Sequence, residues 1–400
     1  MAKLTVNDLT DLRGKRVLVR VDFNVPQDEA GNITNDRRIQ AALPTLRKLL
    51  DAGAKVVVMT HFGRPKGDPK KDAAFRLDKI ADRLNELVLP TRVTKVDQVI
   101  GPQVEAGLEQ LNPGELLVLE NVRFHPGEQK GDESFAAELA KLGDVYVNDA
   151  FGTCHRQDAS MYAVPKLMKG KPRAVGFLVA KELDILGQLL SAPPKPVVGV
   201  LGGAKVSDKI GFIKSLLKQV DRVLIGGAMS YTFMKAKGQG IGGSKAEGDK
   251  LDVAKELLAL GGAKIILPED HLVVSDIKAF ASAKVVAGDI PDGWIGVDIG
   301  PKTIAKYRDE VVKAGTVVWN GPMGKFEDEP YSSGTKSLAA AMAACKGVTI
   351  VGGGETAEAV EEFGLADKMT HVSTGGGAFL EYVEGTPFAA LAEIDERKTS

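Results

Sequence analysis

VVGVLGGAKVSDKI, residues 197–210, carries the reading of the fold. Val197–Leu201 is apolar on both faces. Gly202-Gly203-Ala204-Lys205 then breaks the run, and Ser207–Gln219 follows with helical spacing. A strand buried on both sides, a glycine turn and a helix make up the repeating unit of a parallel sheet covered by helices. The alternation continues outward in both directions. Earlier in the chain come the runs Val17–Val21, Lys55–Met59, Leu116–Leu119, Asp144–Val147 and Ala174–Val179. Later come Arg222–Ile225, Lys264–Leu267, Val273–Val274, Lys284–Ala287, Thr316–Trp319, Val348–Val351 and His371–Val372. Helical spacing recurs between them, as at Ile39–Ala52, Leu77–Val88, Lys250–Leu260 and Ser333–Ala344. The pattern predicts an α/β fold of two doubly wound parallel-sheet (Rossmann-like) domains.

The chain has 400 residues, too many for one compact core. Its expected break lies where Lys169-Gly170-Lys171-Pro172 and Ala192-Pro193-Pro194-Lys195-Pro196 flank a helical stretch, Lys181–Leu190. Proline-rich ends around a helix suggest a stiff hinge helix rather than a floppy linker. The expected domains are 1–172 and 173–387, the second including the connecting helix. The 52 Lys+Arg against 53 Asp+Glu give a net charge of −1, which argues against nucleic acid or an anionic membrane as partner. No apolar run reaches the ~18 residues of a membrane span. The N-terminus MAKLTVNDLTDLRGKR has no apolar signal core, so a cytoplasmic location is expected. The two cysteines, Cys154 and Cys345, form no CxxC and provide neither a disulfide framework nor a structural zinc site.

Ligands of open parallel sheets sit at the carboxyl ends of the strands. In the first half those ends lead into Asp22-Phe23-Asn24, Thr60-His61-Phe62-Gly63-Arg64-Pro65, Glu120–His125 with Arg123, and Asn148–Arg156. Arg37-Arg38 opens the first helix. A lone loop arginine is ordinarily a solvated charge, but guanidiniums repeated at one sheet edge describe a pocket for a small polyanion. In the second half the ends are glycine turns: Gly202-Gly203, Gly226-Gly227, Asn320-Gly321, Gly352-Gly353-Gly354 and Gly375-Gly376-Gly377. Such turns bring backbone amides close to an anion at a helix N-terminus. Lys205 and Lys209 stand four residues apart beside the first of them, and two lysines at a glycine turn suggest neutralisation of a nucleotide's phosphates.

Other signals are weaker. No GxxxxGK[ST] occurs, and the GxGxxG at Gly238–Gly243 follows the helical Tyr231–Lys237 rather than a strand. Cys154 lies in the first-half cluster without a base to activate it. His271 and His371 have no second ligand at a metal spacing. At this point a phosphotransferase acting on a different carboxylate and a binding protein that closes on a small anion both remain open.

The motifs resemble those of the phosphoglycerate kinase family over essentially the whole chain. They are RVLVRVDFNVP (16–26), THFGRP (60–65), ENVRFHPGE (120–128), NDAFGTCHR (148–156), GGAKVSDKI (202–210), WNGPMG (319–324), GGGET (352–356) and VSTGGGA (372–378). The resemblance implies two domains with a cleft between them, and a return of 388–400 to the first. It implies a monomer that moves the acyl phosphate of 1,3-bisphosphoglycerate to MgADP, reversibly giving 3-phosphoglycerate and MgATP in glycolysis and gluconeogenesis. By position, Asp22, Phe23, Asn24, Arg38, His61, Phe62, Gly63, Arg64, Arg123 and Arg156 correspond to the 3-phosphoglycerate site. Gly203, Lys205, Lys209, Gly227, Gly300, Asn320, Glu327, Gly353, Gly354, Glu355 and Thr356 correspond to the site for ATP or ADP, with Glu355 toward Mg²⁺. Arg38, Lys205, Lys209, Gly353 and Gly376 would stabilise the transferring group. Three positions depart from the family pattern: Glu355 replaces Asp, Asp158 a second His, and Phe379 a small Ser.

Overall fold

The computed structural model describes residues 2–397. Residue 1 and residues 398–400, which the expected domain ranges include, lie outside the described residues. The chain divides into two compact units, one running to Asp184 and resuming at Pro387, the other spanning Ile185–Thr386.

The first unit is built on β1 (Arg16–Val21), β2 (Lys55–Met59), β3 (Val93–Lys95), β4 (Leu116–Val118), β5 (Val145–Asp149) and β6 (Arg173–Val175), all parallel, in the order β3-β4-β2-β1-β5-β6. Val17, Val19 and Val21 of β1 pack with Ile39, Leu46 and Leu49 of the helix Arg37–Asp51. The intervening Leu18 and Arg20 are fully buried too. The strand order turns back between β1 and β5, which opens a crevice at their carboxyl ends.

β6 stays with this sheet by pairing with β5, so the division falls later than the expected boundary after residue 172. The apolar run Ala174–Val179 is strand only to Val175. At Phe177 the helix Phe177–Ser191 begins, because the buried Asp149 carboxylate accepts the amides of Leu178 (3.0 Å) and Val179 (3.3 Å) and so caps it. The chain returns at residue 387. The amide of Leu4 donates to the carbonyl of Asp395 at 2.7 Å, and the Asp395 carboxylate accepts from the backbone and guanidinium of Arg173.

The second unit has β7 (Val197–Leu201), β8 (Arg222–Ile225), β9 (Ile265–Ile266), β13 (Thr316–Asn320), β14 (Val348–Gly352) and β15 (His371–Val372), parallel in the order β15-β14-β13-β7-β8-β9. Its reversal lies between β7 and β13. The buried Trp319, Tyr307, Leu338 and Met342 fill one side of the sheet. One expectation is corrected here. Val273–Val274 and Lys284–Ala287 are not part of a parallel sheet: β10 (Asp270–Val274), β11 (Lys284–Ala287) and β12 (Ile295–Ile299) form a separate antiparallel sheet in the order β11-β10-β12. The link from β10 to β11 holds a single 3₁₀ turn, Phe280–Ser282, too short for a parallel crossover. Among the described residues no helix is long and apolar enough to cross a membrane.

Candidate active site

In the first unit the polar groups gather where β1, β2 and β5 end. Asp22 follows β1 and is 7% exposed. Its Oδ2 accepts from Arg38 Nη1 at 2.5 Å, and its Oδ1 accepts the amide of Asn24 at 3.3 Å. Burial alone would raise the Asp22 carboxyl, but the Arg38 and Arg20 guanidiniums help hold it below the usual carboxylate value. Asn24 Oδ1 accepts the Gly63 amide at 2.8 Å, and Arg123 Nη1 donates to the Gly63 carbonyl at 2.7 Å, so one residue of the second loop is held from both sides. Asn121 ties the same loop by accepting the Phe62 amide and donating to the Phe62 carbonyl.

His61 is almost fully buried, with Nδ1 3.3 Å from Arg20 Nη2. Burial holds it well below the usual histidine value. Arg20, Arg123 and Arg156 push the same way, and Asp22 opposes them. A neutral imidazole results, able to hydrogen-bond an anion without adding charge. Arg64 is exposed at the rim. Phe23 and Phe62 belong to this cluster by backbone alone, since their rings are buried in the core. Arg20 and Glu128 carry no assigned role in the sequence reading. Arg20 Nε donates to Ser160 Oγ at 2.8 Å, and Ser160 donates its hydroxyl and amide to Glu128. The available signal was an arginine in the middle of an apolar strand, which must have a partner if it is buried.

In the second unit the expected glycine turns interlock at the β7/β13 reversal. The Gly203 amide donates to the Pro322 carbonyl at 2.8 Å and the Gly227 amide to the Met323 carbonyl at 2.8 Å. A Cβ on Gly227 would stand 2.4 Å from the Gly203 nitrogen, so no other residue fits between these turns. Asn320 Nδ2 donates to the Gly352 carbonyl at 2.8 Å, and Thr356 Oγ1 accepts the Gly321 amide at 2.7 Å. Gly353, at φ +94°, caps the helix Gly354–Glu362, and Gly376 caps Gly377–Glu384. Neither glycine offers a side chain to the first-turn amides, although in the second helix the Ala378 amide already donates to the Gly375 carbonyl at 3.0 Å. Lys209 Nζ donates to the carbonyls of Gly202 (2.6 Å) and Asn320 (3.2 Å). Burial pushes its ammonium down to about 8, against the opposing charges of Glu355 and Asp208. Lys205 is exposed.

Gly300 caps the helix Pro301–Val312 with an ordinary φ of −83°. Glycine is needed there because a Cβ would lie 2.3 Å from the Asp270 carboxyl. Glu327 is exposed, and its charge acts on Lys325. Phe379 is fully buried, its ring centroid 5.9 Å from that of Phe212. Among the described residues no three His, Cys, Asp or Glu side chains gather into a metal centre. Glu355 is an exposed carboxylate on the first turn of its helix, its charge acting on Lys209 together with that of Asp208. So few hard oxygen donors fit a divalent ion carried mainly on a ligand's own phosphates, and do not fit an ion caged by protein alone.

A model of the phosphoglycerate kinase family matches residues 6–386. The chain belongs to the phosphoglycerate kinase family. Phosphoglycerate kinase of Moorella thermoacetica is 51% identical over 401 residues, covering 99% of this chain and 100% of that one. The Rhodopirellula baltica phosphoglycerate kinase is 51% identical over 399 residues, with the same coverage. Among solved structures, phosphoglycerate kinase from Coxiella burnetii matches with a TM-score of 0.85 at 38% identity, covering 98% of each chain. That from Pyrococcus horikoshii OT3 matches with a TM-score of 0.83 at 31% identity, again covering 98% of each.

Proposed function

We propose that this chain catalyses the phosphoglycerate kinase reaction as a cytoplasmic monomer: reversible transfer of the acyl phosphate of 1,3-bisphosphoglycerate to MgADP, giving 3-phosphoglycerate and MgATP. The observation that carries the reading is the division of labour between the two units. One gathers Arg38, Arg123 and Arg156 around Asp22 and a neutral His61, and the other gathers glycine turns around Lys209. Phosphoryl transfer asks a protein mainly for positioning and for charge at the oxygens of the moving group. In this reading 3-phosphoglycerate lies on the first unit and the nucleotide on the second. Transfer then requires Arg38 and Lys205 to reach the equatorial oxygens of the same phosphoryl group with water excluded. Lys209 neutralises the nucleotide phosphates, while the amides at Gly353 and Gly376 add fixed dipoles. Glu355 would hold Mg²⁺, which when bound screens the phosphate charge. No phosphoenzyme is required; Cys154 is buried, and burial pushes its thiol up to about 12.

The test is ATP consumption with Mg²⁺, with and without 3-phosphoglycerate, the acyl phosphate being trapped by a coupled dehydrogenase. Turnover that requires 3-phosphoglycerate supports the reading. Nucleotide binding without any response to 3-phosphoglycerate overturns it and assigns the arginine pocket to another anion.

A further inference from the structure

Asp158 sits where its side chain ought to do something else. It precedes the π-helical turn Ala159–Ala163 and its carbonyl accepts the amides of Met161 and Tyr162, yet its carboxylate makes no capping hydrogen bond. An aspartate at such a position ordinarily turns onto those amides. Here the residue is 6% exposed and Oδ2 is sealed from solvent without a hydrogen-bond partner among the described residues. Among the other atoms in that condition are Arg123 Nε and Arg156 Nη1. Asp158 is two residues from each of two anchors of this pocket, Arg156 and the Ser160 that joins Arg20 to Glu128. Burial pushes the Arg123 guanidinium down, Arg156 adds to the effect, and Asp158 opposes both. Glu128 is pushed up by burial, with Asp158 contributing in the same sense.

We propose that Asp158 sets the affinity of the arginine pocket: its buried carboxylate partly cancels the field of Arg123 and Arg156 and weakens their hold on the substrate phosphate. A buried charge is poorly screened by salt, so it acts on whatever occupies the pocket. This inference rests on the assignment of that pocket to 3-phosphoglycerate. With Arg38 serving the reacting end, Arg123 and Arg156 hold the phosphate that does not react. The charge on that group is the same in the ground and transition states, so the effect of Asp158 is uniform binding, visible in KM and absent from kcat.

The experiment titrates 3-phosphoglycerate and, separately, ADP into the full chain and into Asp158→Asn, Asp158→Ser and Asp158→Glu. The two neutral variants are expected to bind 3-phosphoglycerate about threefold to tenfold more tightly. Asp158→Glu should stay near the parent value, and ADP affinity should not move. Steady-state kinetics should show the same fall in KM for 3-phosphoglycerate at unchanged kcat. If the parent chain fails to bind 3-phosphoglycerate, the pocket assignment falls and takes this inference with it. If the parent binds and the neutral variants bind equally or more weakly, only the inference falls. Failure of both neutral variants to fold while Asp158→Glu folds would also overturn it, since the carboxylate would then serve the fold.

Discussion

In the proposed mechanism Arg38 is a side chain prepared for a charge that is not yet there. Held by the Asp22 carboxylate, its guanidinium is oriented before any substrate arrives, and Asp22 is kept ionised by the same contact. Truncation should therefore remove transition-state stabilisation and spare the nucleotide site. Arg38→Ala is expected to lower kcat by about 10³-fold or more while KM for ATP changes little; a kcat within tenfold of the parent would end the proposed role. Gly227→Ala should act at the other site, because its Cβ has no room beside Gly203. Its expected signature in calorimetric titration is loss of ADP binding with 3-phosphoglycerate binding retained. Both positions were legible in the sequence, one as a charge at the start of the first helix and the other as half of a glycine pair. Arg20, Ser160 and Glu128 were not, because Arg20 stands 140 positions before the Ser160 it meets and only burial gives the partnership meaning. Phe23 and Phe62 stood inside the right motifs, but the sequence does not tell a ring that touches ligand from one that anchors a loop in the core.

At the scale of elements, the two parallel sheets were readable because strands buried on both faces lack polar alternation, and glycine turns mark where they end. The antiparallel β11-β10-β12 sheet was not, since two short apolar runs carry no sign of direction. Nor was the start of the helix Phe177–Ser191, which is set by Asp149 on a different strand. That cap makes a pH-dependent prediction. Burial pushes the Asp149 carboxyl up to about 7, against hydrogen bonds from Thr45, Val179 and Leu178. Between about pH 4 and 7 the folded chain thus holds more protons at this site than the unfolded chain does, and its contribution to stability falls as pH rises through that window. Asp149→Asn keeps an acceptor for the helix and removes the buried charge. Its urea midpoint, relative to the parent, should rise from pH 5 to pH 8. Asp149→Ala loses the cap and should be less stable at pH 5 by about 0.5–2 kcal/mol. Equal shifts for the two variants at both pH values would refute this account.

At the scale of the whole molecule, the first unit is discontinuous and the second is not. Phe388, Leu391 and Ile394 are buried, and Asp395 pairs with Arg173 at the start of β6. Removing residues 387–400 should weaken the first unit and leave the second largely intact. The chain supplies its own reporter, because both tryptophans, Trp294 and Trp319, fall within the second unit. In urea, the truncated chain is expected to lose part of its far-ultraviolet circular dichroism at a lower midpoint than the parent, while the tryptophan fluorescence midpoint stays put. Coincident movement of the two signals would show that the units unfold as one.

The same discontinuity sets an order of manufacture. A ribosome delivers residues 2–184 first, but the segment that places Asp395 against Leu4 and Arg173 leaves the exit tunnel only after all of Ile185–Thr386 has been synthesised. Throughout that interval the nascent first unit lacks the buried side chains of Phe388, Leu391 and Ile394 and leaves Arg173, at the start of β6, without its Asp395 partner. The second unit meets no such wait, since its segment is continuous. The half of the enzyme made first is the half completed last, and that is where a nascent-chain chaperone would have work to do.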